Sequence, residues 1–323
     1  MTTRRRFLAF GALAALASRV RAQAARVKIG VLGPSPFEAS TYASSVVQAF
    51  TERGYAEGTR ATFIYRFAEG GFDSYRKPAQ ELAAQNCDLL IALRSEPPAR
   101  ALQFLRPAAP IIFLASDYDP LASGVVTNLR SPDRNTTGVF VPQNALVARR
   151  VEIMRELLPK AMRLIVFADP YSADQVEAAR KAAAASKFQL MLVQFVSQPY
   201  DYSSYLQDRR GVEADAFMTL ASPVFARDRQ QIHQALLRLK LPSIGAGLPQ
   251  SEAGYLMSLG SNIPKVAKRV ADIGVRILAG TKASAIAVEQ AEDAELIINT
   301  GTAQALGVKI PDSLRARAAR IIA

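Results

Sequence analysis

Asp88-Leu89-Leu90-Ile91-Ala92-Leu93, running on into Arg94-Ser95-Glu96-Pro97-Pro98, decides the fold. The apolar run is short and unbroken and does not alternate with polar residues. That is the pattern of a strand covered on both faces, as in a parallel sheet. Ser95 then stands as the N-cap of a helix whose first turn accepts proline. A buried strand passing through a short loop into a helix is the repeating unit of an α/β sheet. The pattern holds outward in both directions. Before it lie a strand over 27–32 broken by Gly33-Pro34-Ser35-Pro36, a helix over 38–53, a strand over 61–67 and a helix over 73–86. After it come strands at 110–115 and 137–140. The series then restarts with helix 143–158, strand 163–168, helix 172–186, strand 188–196, helix 202–210, strand 214–220, helix 224–240 and strand 242–245. A helix over 264–279, short β segments at 286–289 and 295–298, and C-terminal helices complete the chain. Two series of similar size predict an α/β protein with two Rossmann-like, doubly wound lobes. Ligands in such sheets bind beyond the carboxyl ends of the strands, and two lobes can turn both sets of ends toward one cleft. The loops that would line it are 33–36, 94–97, 115–119, 169–172, 221–223 and 245–248.

The composition narrows the function. The chain has 323 residues, 40 Lys+Arg against 28 Asp+Glu, one Cys, one His and no Trp. The net charge of +12 invites a nucleic-acid reading. However, the N-terminus has the form of an export signal: Arg4-Arg5-Arg6, an apolar run from Phe7 to Ala17, and the small-residue pattern Ala22-Gln23-Ala24. The apolar run is too short to cross a membrane. Thr3-Arg4-Arg5-Arg6-Phe7-Leu8 resembles a twin-arginine signal, and a general secretory signal with a basic start is the other route. Cleavage is expected after Ala24, giving a periplasmic protein. Five arginines and no acid lie in residues 1–24, so the remaining 299 residues carry +7. Those charges are scattered without a nucleic-acid motif, as on a solvated basic surface. Cys87 has no partner for an intramolecular disulfide and reads as a buried structural thiol.

Hydroxyls, carboxylates and aromatics gather in the strand-end loops. The candidate ligand-binding residues are Ser35, Ser95, Glu96, Ser116, Asp117, Phe140, Asp169, Tyr171, Ser172 and Ser222. Hydroxyls and helix-start N–H groups hold a carboxylate, an Asp pairs with an ammonium, and an aromatic face takes a ring or a cation. The set suits a small polar or zwitterionic ligand. The same residue types also serve as caps and turns. Catalysis has less support: His233 lies inside a helix away from the strand ends, which leaves a Ser-His-Asp triad without its base. No G-x-S-x-G, Walker or G-x-G-x-x-G element is present. Cys87 and His233 alone cannot make a metal site. No enzyme activity, cofactor or metal is expected.

Several segments resemble the ABC-transporter substrate-binding protein family whose characterised members bind aromatic amino acids such as tryptophan. They are 26–32, 53–58, 64–70, 119–138, 151–159, 253–260, 277–282 and 288–311. The motifs D-P-x-x-x-G-x-V-x-x-L-x-x-P-x-x-N-x-T-G, from Asp119 to Gly138, and I-N-x-x-T-A-x-x-L-G-x-x-I-P, from Ile298 to Pro311, are long and specific. The resemblance implies a type 1 periplasmic binding protein. Two lobes joined by crossing strands would close on a solute by hinge bending, and the closed form would dock on a membrane permease. A monomer with no nucleic-acid partner is expected. Lobe one is expected to combine 25–138 with 252–289, and lobe two 139–251 with 290–323. Crossings are expected near Gly138, Gly247–Gly254 and Val288–Ala294. A same-fold sensory receptor for a membrane kinase is the alternative reading. The chain departs from the family at Arg94 and Glu96, which replace small residues, and at Asp133-Arg134, where Gly-Gly is usual. Glu96 would favour a cationic group, or else is a helix N-terminal residue pointing to water.

Overall fold

A computed structural model describes residues 26–36, 40–207 and 213–323. The expected export segment lies outside the described residues. The strands in chain order are β1 (Val27–Gly33), β2 (Ala61–Phe67), β3 (Leu89–Arg94), β4 (Ile111–Ala115), β5 (Thr136–Phe140), β6 (Arg163–Ala168) and β7 (Gln189–Gln194). They continue with β8 (Ala216–Thr219), β9 (Ser243–Gly245), β10 (Met257–Ser261), β11 (Glu289–Gln290), β12 (Ala294–Asn299) and β13 (Ala318–Ile322). The stretch that opened the reading is β3. Its first five residues are all buried, as a strand covered on both faces requires.

Among the described residues the strands form two sheets, ordered β11-β5-β4-β3-β1-β2 and β13-β12-β10-β9-β8-β6-β7. Every pairing is parallel except β10 with β12. The order β2-β1-β3-β4-β5 recurs as β7-β6-β8-β9-β10. Each sheet therefore reverses its winding beside its own first strand, which opens a crevice at the carboxyl ends. These are the two doubly wound lobes read from the alternation.

The chain passes between the sheets three times. It leaves the first after β5, at Val141–Pro142, and enters the helix Gln143–Leu157, which packs in the second lobe. It returns at Asn262, between β10 and the helix Ile263–Leu278. That helix packs on the helix Thr41–Glu52 of the first lobe, with Gly274 lying directly under Phe50. The third passage separates β11 from β12. The return lies beyond the expected 247–254 because Met257–Ser261 pairs with β9 and β12 in the second sheet.

Other differences have local causes. The helix read over 172–186 begins as a 3₁₀ turn, Pro170–Gln175, because Asp169 caps it by accepting from the N–H groups of Tyr171 and Ser172. The helix read over 224–240 is divided at Asp228. Residues 318–322 form an edge strand beside β12 instead of ending in helix. No helix of the described residues is long and apolar enough to cross a membrane.

Candidate functional site

A cleft of about 720 Å³ lies between the lobes. Each of the six strand-end loops contributes to its wall: Pro34 and Ser35, Arg94, Ser116 and Asp117, Tyr171, Ala221 to Pro223, and Ala246 to Leu248. The start of the helix Thr41–Glu52 adds Ser40, Thr41 and Tyr42. Gln143 enters from beside the first interlobe passage.

Hydrogen bonds cross this cleft. The Tyr171 hydroxyl donates to the Gly70 carbonyl at 2.7 Å and accepts from the Gly70 N–H at 3.1 Å. Arg227 donates to Glu69 at 2.9 Å. Arg94 Nη2 donates to the Ser222 carbonyl at 3.0 Å. Gln175 reaches the Asp117 carbonyl at 3.2 Å, and the Asp119 N–H donates to Asp174 at 3.1 Å. Residues at the end of β3 and after β2 and β4 are thus tied to residues after β6 and β8, and the lobes are drawn together.

The floor holds an ion pair. Arg94 Nε meets Asp117 Oδ2 at 2.8 Å, with side chains 16% and 3% exposed. The guanidinium lies 5.2 Å from the centre of the Tyr42 ring, and the Tyr42 hydroxyl shares a 2.7 Å bond with Ser116. Burial pushes the Asp117 carboxyl upward and the Arg94 guanidinium pulls it back. Behind the pair lies Arg150, fully buried. It donates from Nε to the Leu259 carbonyl at 2.9 Å and from Nη2 to Gln143 at 3.0 Å. Gln143 donates to the Ser116 carbonyl at 2.5 Å.

Of the candidate residues, Ser35, Ser116, Asp117, Tyr171 and Ser222 stand together in the cleft wall. Asp169 lies just behind it, with Oδ1 accepting from Tyr171 N, Ser172 N and Ser172 Oγ, and Oδ2 from Ser222 Oγ at 2.5 Å. Burial raises its carboxyl, against the hydroxyls of Ser222 and Ser172. Ser172 is wholly buried in that cap. Three candidates lie elsewhere. Ser95 is the N-cap of the helix Glu96–Phe104, but its hydroxyl makes no capping bond and is buried. Glu96 is paired with Arg100 at 2.5 Å on another face of that helix. Phe140 packs in the first lobe's core with Phe113 and Tyr118. Sequence reasoning passed over Tyr42 and Gln143. Tyr42 reads as part of a helix's apolar face, and its place in the first turn after a strand-end loop is the signal that could have found it.

His233 packs against Gly254 and Tyr255, and burial lowers its pKa. Among the described residues no cluster of three or more His, Cys, Asp or Glu is placed to hold a metal ion. Cys87 is half-buried.

Burial raises the Asp174 carboxyl above its usual value of 3.8, with the bond from Asp119 N–H opposing. The folded chain then holds this proton more tightly than the unfolded chain. The associated stability is complete below the unfolded value and is lost as pH rises through the folded one. Asp174→Asn is expected to remove that part of the fall in melting temperature as pH rises above about 4. An unchanged pH profile would exclude Asp174 as its source.

The sequence profile of the ABC transporter substrate-binding proteins matches residues 31–322. A tyrosine-binding protein of Clostridioides difficile (strain R20291) is 21% identical over 266 residues, covering 81% of this chain and 75% of the relative. A conserved domain protein of Vibrio cholerae superposes with TM-score 0.83 at 26% identity, covering 91% of this chain and 99% of that structure. An ABC domain from Streptococcus pneumoniae in complex with L-Trp superposes with TM-score 0.82 at 21% identity, covering 92% and 100%. The fold is that of the type 1 periplasmic binding proteins.

Proposed function

The chain belongs to the ABC transporter substrate-binding protein family, and from that premise we propose that it is the exported solute receptor of an import system. It captures a small polar or amino-acid-like solute in the cleft, closes by hinge bending at the three interlobe passages, and presents the closed form to a membrane permease. The solute is bound and released unchanged. Export through the signal at residues 1–24 delivers it to the periplasm.

The observation that carries this reading is the convergence of strand-end loops from both sheets on one cleft, with hydrogen bonds running across it. A solute held by both lobes stabilises the closed form over the open one, because only the closed form offers both halves of the site. The candidate residues Ser35, Ser116, Asp117, Tyr171 and Ser222 are the side chains that would touch it. Asp169 and Ser172 would hold the Ser222 and Tyr171 loops in place.

Ligand-free protein spanning 25–323 should show a rise in melting temperature with a cognate solute, because a ligand that binds only the folded state stabilises it by mass action. Small-angle scattering should show the particle contract on binding. Tyr171→Phe should then weaken the affinity of that solute about 30-fold, since it deletes both hydrogen bonds to Gly70 at roughly 1 kcal/mol each. Binding without contraction, or a Tyr171→Phe protein of full affinity, would refute closure as the capture step.

A further inference from the structure

Arg94 is a long charged side chain on backbone that favours glycine. Its φ is 76°, in the left-handed region where an L side chain is disfavoured. Strained positions of this kind persist where the surroundings hold them, and they gather at functional sites. Arg94 is held by Asp117 of its own lobe at 2.8 Å and by the Ser222 carbonyl of the other lobe at 3.0 Å. Nε and Nη2 are engaged, while Nη1 makes no hydrogen bond to another described residue. A guanidinium carries five N–H donors and no acceptor, so the N–H groups left over are free to donate to a solute in the cleft that Arg94 lines.

The surrounding charges do not supply one. Arg150 lies behind the same floor, with Nη1 buried and without a hydrogen-bond partner, and the acid whose field reaches it is Asp117. One paired carboxylate thus serves two guanidiniums. Asp169 is the other buried acid of this floor. Its oxygens are engaged by neutral donors, and it reaches Arg94 only through its field. The neighbouring aromatic wall is also committed. Arg94 lies over one face of the Tyr42 ring, which denies that face to a stacked ligand ring, and the Tyr171 hydroxyl is tied to Gly70.

We propose that Arg94 is the specificity-determining residue of the cleft and selects a solute bearing a carboxylate or an equivalent planar oxyanion, which accepts from its outward N–H groups. Planar oxyanions match the guanidinium fork in shape as well as charge. This assignment rests on the receptor reading above and adds the chemical class of the solute.

The test uses ligand-free protein 25–323 and a panel of amino acids, small carboxylic acids, amines and sugars. Every acid is matched by a carboxyl-free counterpart, such as L-tyrosine with tyramine, benzoate with benzamide and succinate with succinamide. Thermal shifts should be confined to acids. Calorimetry with the best acid should show affinity falling about 50-fold in Arg94→Gly, with part of it retained in Arg94→Lys. The double variant Arg94→Gly/Asp117→Asn also removes the carboxylate that Arg94 pairs and should show the same loss, which separates lost recognition from the effect of stranding Asp117. Tight binding of a carboxyl-free counterpart, or full affinity in the double variant, overturns the oxyanion assignment and leaves the receptor reading standing. No shift from any solute in the panel overturns both.

Discussion

Gly260→Ala is expected to destabilise the protein by about 3 kcal/mol and to lower its melting temperature by roughly 9 °C. Gly260 lies in β10, where that strand runs against the loop after β9. A Cβ at this position would sit 2.0 Å from the Ala246 carbonyl oxygen and 2.9 Å from the Ala246 carbonyl carbon and Gly247 Cα. All three atoms are backbone, so no side chain can turn aside. The strand or the loop must move, and both form cleft wall at Ala246, Gly247 and Gly260. Gly71→Ala provides the contrast. Gly71 has open space around its Cβ position and φ of −86°, which any residue adopts, and it caps the helix Phe72–Ala83 without a side-chain bond, so its cost should stay below about 1 kcal/mol. Thermal melts by circular dichroism decide the matter. A Gly260→Ala melt within a degree of wild type would show that the close approach carries no constraint.

Arg150→Ala is expected to cost about 4 kcal/mol in chemical denaturation. Arg150 heads the fully buried large side chains. Removing it opens a cavity and leaves the Leu259 carbonyl and Gln143 Oε1 without their donors. Burial lowers the Arg150 pKa to about 9, still above neutrality, so the guanidinium remains charged at pH 7. Arg150→Met returns most of the volume without the donors. The loss that persists in Arg150→Met therefore measures the hydrogen bonds, and the difference between the variants measures the cavity. The effect should extend to binding, because Gln143 holds the Ser116 carbonyl from the side facing Arg150. An Arg150→Ala protein as stable as wild type would mean that the interior closes over the site at no cost.

The fold was legible because its signals are local. Leu89–Leu93 declares a strand covered on both faces, and Gly33-Pro34-Ser35-Pro36 declares a strand end, without reference to distant residues. Loop identity was legible for the same reason, and all six strand-end loops reach the cleft. What stayed hidden depends on pairing. Ala318–Ile322 follows Arg317, carries Arg320 within it, and becomes a strand only because β12 lies beside it. Met257–Ser261 belongs to the second sheet through its neighbours β9 and β12, so the return passage moved to Asn262. Within the site, Ser95 and Arg94 are adjacent in sequence, and backbone conformation decides which one faces the ligand space. With Arg94 left-handed it is Arg94 that faces the cleft, while Ser95 is buried. The Arg94–Asp117 pair joins residues 23 positions apart, which no local pattern announces. Asp133-Arg134 shows the reverse case: glycine is absent, yet the turn keeps its left-handed backbone at Arg134 and Asn135.

The threefold passage between the lobes sets an order of events during folding. The five strands β1 to β5 are complete by Phe140, but one face of their sheet is covered by the helix Ile263–Leu278, whose Val266, Val270, Ile273 and Ile277 are buried. The salt bridges Arg53–Asp272 and Lys268–Glu52 fasten that helix to its neighbour. Until the chain reaches this point the first lobe exposes an apolar face, and loop-closure entropy over more than a hundred residues delays its covering. The second sheet can form in that interval. A chain shortened before Asn262 would therefore be prone to aggregation, even though it contains every strand of the first sheet except β11.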